Sequence, residues 1–229
     1  MSRRSEILKE MGLSPIWRLR RVAAEISLLP DEEPEQRREG QQLGIPTMDW
    51  AQLKAKVAGC TDCPLRAGCS QTVFGVGDEK AQWMLVGEAP GSEEDRLGEP
   101  FVGQAGKLLD NMLAAISLAR GKDVYIANVL KCRPPGNRNP EPDEVAKCSP
   151  HLLRQIELIQ PKLILAMGRF AAQALLGTDA TIASLRGKVH QYAGVPLIVT
   201  YHPAYLLRNL PDKSKAWADL LFARTTLEK

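Results

Sequence analysis

The stretch Gly87–Gly106, GEAPGSEEDRLGEPFVGQAG, follows a short apolar run and sets Glu88, Glu93, Glu94, Asp95 and Glu99 against a single Arg96. A glycine-rich turn after a strand normally cradles an anion. Here G-x4-G-K-[S/T] is absent and the GVG at Gly75–Gly77 lies before the strand, so no nucleotide-binding fingerprint is present. A carboxylate in such a turn suits a different role, stabilising positive charge that develops at a reaction centre or orienting a water. Cleavage of a glycosidic bond generates such charge on an oxocarbenium-like sugar. Its leaving group is an anion and needs hydrogen-bond donors on its far side. Asn128 and His202, each near the end of another apolar run, have donors to offer, and Phe101 presents an aromatic face to a flat base. Taken singly, each has a plainer explanation: Glu88 a cap, Phe101 core, Asn128 a turn former, His202 with Pro203 a helix start. Their joint occurrence at three strand ends favours chemistry.

The cysteines form a second constellation. Cys60 and Cys63 make a C-x2-C pair in CTDCP, and Cys132 and Cys148 flank a proline-rich loop with C-x15-C spacing. Four thiolates suit zinc or an iron–sulfur cluster, although the second pair lacks zinc-ribbon spacing. Unconnected buried cysteines are the alternative. Cys69 is left over and reads as a free thiol. A metal would tie the first pair to the loop Arg133–Pro142, RPPGNRNPEP, which has no hydrophobic anchor of its own.

These residues need a scaffold. Apolar runs at Gln82–Val86, Val124–Asn128, Leu163–Met167 and Leu197–Thr200 predict buried parallel strands. Helical spacing recurs between them. One set is Leu108, Leu109, Met112, Leu113 and Ile116; a second is Val145, Leu152, Leu153, Ile156 and Ile159, opened by Pro142 and Asp143. Ala171–Leu176, closed by Gly177, and Lys213–Leu227 follow, and a helix opened by Asp49 precedes them all. The alternation predicts an α/β fold: one three-layer domain over residues 47–229, with a central, mostly parallel four-stranded sheet flanked by helices. Ligands of such sheets bind beyond the carboxyl ends of the strands, where all three motifs lie. Residues 1–46 form an extension: an amphipathic helix within Arg3–Ile26, offered to a protein partner or left as a tail, then a proline- and charge-rich linker, Leu28–Pro46.

The 229 residues are 44% hydrophobic and 25% charged, ordinary for a globule with a full core. The net charge of +3 permits a nucleic-acid partner without demanding one. No run approaches the roughly 18 apolar residues that span a membrane, and no signal peptide is visible. A cytoplasmic location, nucleoid-associated in a prokaryote, and a monomer are expected.

Three segments together, GEAPGSEEDRLGEPFVGQAGKLLD (Gly87–Asp110), NVLKCRPPGNRNP (Asn128–Pro140) and HPAYLLRN (His202–Asn209), resemble the motifs of family 4 uracil-DNA glycosylases. The resemblance covers about residues 48–225. It implies a [4Fe–4S] cluster on Cys60, Cys63, Cys132 and Cys148. It also implies Glu88 near the attacking water and sugar, Ala89 contacting uracil through its backbone, and Glu94 lining the pocket. Phe101 would stack on the base, Asn128 read its polar edge and His202 hydrogen-bond the leaving uracil. The segment through Leu206, Leu207 and Arg208 resembles the loop that enters the duplex. The implied partner is uracil-containing DNA, and free uracil the product.

Extruding a base costs a few kcal/mol, which contacts to phosphates must recover; Lys131, Arg133, Arg138, Arg186, Lys188 and Arg208 are the candidates. The related family X traps DNA on a histidine in a loop after the second strand. Residues 133–147 hold no histidine and Ala89 stands where that family has glutamine, which favours turnover. His151, just past this loop, reads as a surface residue. The competing functions are a non-catalytic iron–sulfur protein that binds uracil-DNA or polymerase components, and a zinc-stabilised nucleic-acid binder.

Overall fold

In the computed structural model residues 44–228 are described. The expected N-terminal helix, most of the linker and their docking role fall on residues 1–43 and lie outside the described residues.

Six strands form one sheet: β1 (Val76–Gly77), β2 (Trp83–Gly87), β3 (Val124–Asn128), β4 (Leu163–Met167), β5 (His190–Tyr192) and β6 (Val195–Thr200), in the order β1-β3-β2-β4-β6-β5. The four central strands run parallel, as their continuous apolar character demands. The sheet is wider than expected because an antiparallel strand is added at each edge. These two escape pattern reading because β1 has only two residues and β5 is polar and half-exposed. A two-residue turn joins β5 to β6, with Ala193 at φ 50° and Gly194 at φ 78°, the left-handed pair that matches strand twist in a tight hairpin.

Alternation along the strands divides the core. Met84 and Val86, with Tyr125, Ala127, Ile164 and Ala166, face one helical layer that contributes Leu152, Ile156, Ala172 and Leu175. Trp83 and Leu85, with Ile126, Leu165 and Ile198, face the other, which contributes Leu109, Leu113, Leu220 and Ala223. Each fully buried aliphatic side chain contributes roughly 1.5–3 kcal/mol of transfer free energy. Leu153 departs from expectation. It is an exposed residue of the helix Pro142–Ile159, because consecutive helical positions point about 100° apart and Leu152 takes the core.

The helix ends follow their local sequence. Asp49 accepts from Gln52 N at 2.8 Å while its own N–H donates to Gln52 Oε1 at 3.0 Å, a reciprocal cap. Glu144 accepts from Glu141 N at 2.9 Å at the start of the helix Pro142–Ile159.

Register delivers the site. Gly87 pairs with Asn128, Val86 with Ala166, and Met167 with Thr200. The chain leaves β2 toward β3 on one side and β4 toward β6 on the other, so the connections diverge at the carboxyl ends of β2 and β4. Such a divergence opens a crevice at the sheet edge, and the residues just past these ends, Glu88, Gly168 and His202, meet there.

Candidate active site

At the end of β2 the absence of a side chain is what the geometry requires. A Cβ on Gly87 would collide with Asn128 Oδ1 and come within 2.6 Å of Phe101 Cζ. Glycine thus lets an amide and an aromatic ring converge over the strand end. Phe101 is buried and held at φ 55°, a region that ordinary side chains rarely adopt. Arg120 holds it there by donating to Pro100 O and Phe101 O, both at 2.8 Å, while pairing with Asp110 at 3.1 Å.

The acidic turn divides its charge. Glu94 accepts from Gly91 N at 3.1 Å, Val102 N at 3.0 Å and Gly103 N at 3.3 Å, so it gathers the two limbs of the loop. Asp95 is buried and accepts from Ser70 N at 2.9 Å. Glu93 pairs with Arg96 at 2.8 Å on the surface. Glu88 lines the cleft, and among the described residues no hydrogen bond or ion pair engages its carboxylate. Burial pushes the Glu88 carboxyl from 4.5 up to about 7, against the opposing pull of the Arg169 guanidinium.

Asn128 is 2% exposed, and its Oδ1 has no hydrogen-bond partner among the described residues. A buried acceptor left so costs about 1–3 kcal/mol, which marks it as an atom awaiting a ligand. His202 caps the helix Pro203–Arg208: its Nδ1 accepts from Ala204 N at 3.1 Å. That bond fixes the proton on Nε2. Burial lowers the imidazole to about 4, so the ring is a neutral Nε2–H donor at physiological pH. Gly168, at φ 94°, makes room behind it: a Cβ there would sit 2.9 Å from His202 Cβ.

These groups share one cleft of about 760 Å³, lined by Glu88, Ala89, Glu94, Phe101, Asn128 and His202. Every base- and sugar-facing residue expected from sequence is therefore brought together. The cleft also holds residues that sequence reading misses: Arg169, Phe170, Tyr201 and Tyr205. Arg169 lies 4.5 Å over the Phe170 ring. A Gly-Arg pair directly after β4 is the available signal, since each of the other three parallel strands has a site residue at its end or within two residues past it.

The basic residues separate. Arg138 and Arg208 line the cleft, and Arg138 is held by Glu144 through two bonds of 2.6 and 2.9 Å. Arg133 donates to Asn137 Oδ1 at 2.7 Å. Arg186, expected at a phosphate, is committed to buried Asp219 at 2.6 and 2.9 Å and stacks 4.6 Å over Tyr201. Lys131, also expected at a phosphate, is wholly interior. In the last motif Leu206 is core, whereas Leu207 is 41% exposed and Arg208 also faces solvent.

Past the carboxyl end of β3 the four expected cysteines line a small cavity together with Asp62, Lys131 and His151. His151 is 1% exposed, not a surface residue: its helix turns it inward, with Nε2 3.7 Å from Cys60 Sγ and Nδ1 unpartnered among the described residues. Ligand atoms of Cys60, Asp62 and His151 lie within 4.8 Å of one another. Cys69 packs outside this lining against Leu65, Leu130 and Cys132. Burial raises the thiols of Cys60, Cys132 and Cys148, the last to about 11. Neighbouring thiols raise Cys132 and Cys148 further. A bound metal reverses that preference, because a cation deprotonates its thiol ligands. Four soft sulfur donors around one void fit a thiolate-bound metal centre.

Among known proteins, residues 74–221 match the uracil DNA glycosylase superfamily. A type-4 uracil-DNA glycosylase of Archaeoglobus fulgidus is 50% identical over 160 residues, 66% of this chain and 80% of its own length. One from Thermotoga maritima is 46% identical over 159 residues, 69% of this chain and 82% of its own. One from Pyrobaculum aerophilum is 44% identical over 181 residues, 76% of this chain and 92% of its own.

Proposed function

The chain belongs to the uracil-DNA glycosylase superfamily and is a DNA-repair glycosylase, a hydrolase of N-glycosyl bonds; on that premise we propose how its own residues divide the reaction. The observation that carries the assignment is the orphaned Oδ1 of Asn128 at the floor of the cleft. It accepts from N3–H of an extruded uracil, and the amide nitrogen donates to O4. Cytosine presents the reverse pattern at both atoms and leaves two buried groups unpaired, at about 1–3 kcal/mol each. Phe101 stacks on the base and the Ala89 backbone borders it. A thymine methyl meets the wall at Glu94, which three backbone N–H groups make stiff.

When the C1′–N1 bond breaks, its electron pair leaves with the base. His202 Nε2–H donates to O2 of the resulting anion and remains neutral. The sugar becomes oxocarbenium-like, and the Glu88 carboxylate faces it. Water adds to C1′ and gives its proton to Glu88. That proton passes through solvent from Glu88 to the uracil anion, so neutral uracil and an abasic site result and the carboxylate is restored. Among the described residues no lysine lines the cleft to attack C1′, so the enzyme is read as monofunctional. Arg133, Arg138 and Arg208 hold the DNA backbone while Leu207 enters the gap left by the base.

The cysteine cavity is read as the site of a [4Fe–4S] cluster held by Cys60, Cys63, Cys132 and Cys148. When bound, the cluster cross-links the N-terminal segment of the domain to both ends of the loop Arg133–Pro142 and so has a structural role. The same reading has the enzyme acting as a monomer in the cytoplasm, at the nucleoid of a prokaryote, with residues 1–46 a tail or a segment offered to a protein partner. Among the described residues no helix is long and apolar enough to cross a membrane.

The test is a fluorescent oligonucleotide with one uracil, incubated with protein and then treated with alkali. Strand scission with wild type and its loss in Glu88→Ala are expected. Intact strands with wild type overturn the catalytic reading, and a mobility shift without base release replaces it with a binding protein.

A further inference from the structure

Between the cysteine cavity and the base-reading amide lies a charge that the reaction above does not use. Lys131 is 2% exposed, a rare position for an ammonium. Its Nζ donates to Asn128 O at 3.0 Å and to Gln155 Oε1 at 2.7 Å. Gln155, fully buried, is turned to receive it by its own amide nitrogen, which donates to Phe74 O at 2.9 Å and Tyr125 Oη at 3.2 Å. Both partners of the ammonium are neutral. No carboxylate among the described residues pairs with it.

A charge taken from water needs a counter-charge. The candidate is at hand, because Lys131 lines the same cavity as the four cysteines and its backbone N–H donates to Cys148 Sγ at 3.2 Å. Four thiolates on a [4Fe–4S] core leave net negative charge there, and nearby charge is one determinant of such a cluster's potential. The other end of the side chain's reach matters for the cleft. The Asn128 carbonyl sits where the β2–β3 ladder stops, and its amide has an oxygen with no bond of its own among the described residues. Fixing the backbone is then the way to aim that oxygen.

We propose that Lys131 joins the two sites, its ammonium serving as the buried counter-charge of the cysteine-held centre and as the clamp on the Asn128 carbonyl that aims the base-reading amide. Lys131 is thus a positioning residue, and the inference rests on the iron–sulfur reading given above.

The test uses full-length protein carrying its cluster, with Lys131→Met, Lys131→Gln and Gln155→Glu. The first two remove the charge, and glutamine keeps a donor for the Asn128 carbonyl. Gln155→Glu keeps the lysine and neutralises it in place. All three are expected to move the cluster's reduction potential, measured without DNA, to more negative values. The kcat for uracil release falls about tenfold or more in Lys131→Met, and Lys131→Gln restores most of it. Wild-type potentials in the variants at full iron content overturn the counter-charge. An undiminished kcat in Lys131→Met, or equal loss in both lysine variants, overturns the clamp. Iron and sulfide are measured in wild type first. Their absence overturns the iron–sulfur reading and the counter-charge with it, whereas base release is judged by its own assay. Gln155→Glu keeps the potential measurement available where a lysine variant fails to fold.

Discussion

The ring of Phe101 stacks on the imidazole of His202, with centroids 5.4 Å apart and planes 29° from parallel. One side chain is delivered by the loop after β2 and the other by the residues after β6, so the contact spans the sheet edge. It shields the imidazole from water, which favours the neutral ring. It also sets the aromatic platform for the base beside the donor that receives its charge as it leaves.

Glu88 gives the enzyme a pH signature. Its carboxyl titrates at about 7 in the fold, above the ordinary 4.5, because burial penalises the charge. The reaction needs the carboxylate, so kcat/KM rises with pH through about 7 and then levels. A raised carboxyl contributes stability at acid pH that is lost as pH rises through the folded value. Glu88→Gln therefore lowers kcat by about 10²–10⁴. The same variant raises the melting temperature at about pH 8, above the folded value, with no gain below the ordinary 4.5. Rate profiles and thermal melts across pH check both.

His202 stays uncharged throughout that window. Its depressed value, about 4, means the stability it contributes is present above the ordinary histidine range and lost as pH falls through 4. Nitrogen NMR of the imidazole is expected to show Nε2 protonated, Nδ1 as acceptor and a midpoint near 4. A midpoint near the ordinary 6.5 would contradict the neutral-donor role.

Asn128→Leu separates binding chemistry from stability. It removes an acceptor with no partner among the described residues. Folding stability is therefore unchanged or gains about 1 kcal/mol, while uracil release falls below detection. Denaturant melts paired with the oligonucleotide assay read the two effects.

Gly87→Ala adds one methyl where Asn128 and Phe101 already meet. Overpacking of this kind costs about 1–3 kcal/mol. The larger effect is on the cleft, with kcat/KM expected to fall about 10²-fold. A near-wild-type rate in folded Gly87→Ala would show that this convergence is not needed.

If the cysteines hold the proposed cluster, Cys132→Ser, or removal of the cluster by a chelator, frees the loop Arg133–Pro142. Limited proteolysis is expected to cut there first, and DNA affinity to fall more than the single-turnover rate at saturating enzyme. Uniform protection in metal-free protein would separate the cysteines from the loop.

Much of the scaffold is legible in one dimension. The runs at Val124–Asn128 and Leu163–Met167 become strands without adjustment, because strands buried on both faces need unbroken apolar sequence. Edge strands carry no such demand, and the polar β5 leaves no trace in the pattern for that reason. Glu88, Asn128 and His202 are legible because they sit at or just past strand ends, which the same runs mark. His151 and Lys131 look solvent-facing in sequence because a residue's type states what is common, whereas their burial depends on which helix or cavity faces them.

By itself the sequence determined the alternation of strands and helices, the strand ends where chemistry collects and the two cysteine pairs, C-x2-C and C-x15-C, whose meeting in one cavity the fold then supplies. These are properties of spacing and residue type, which local periodicity and donor chemistry transmit directly. Only the tertiary structure decided which acids are free and which are spent. The Glu88 carboxylate, in the cleft, has no hydrogen-bond or ion-pair partner among the described residues, while Glu94 and Asp95 are bound to backbone amides. It also decided the tautomer of His202, the orphaned oxygen of Asn128 and the interior place of Lys131. Protonation and hydrogen-bond state depend on burial and on partners distant in the chain, and those exist once the layers have closed.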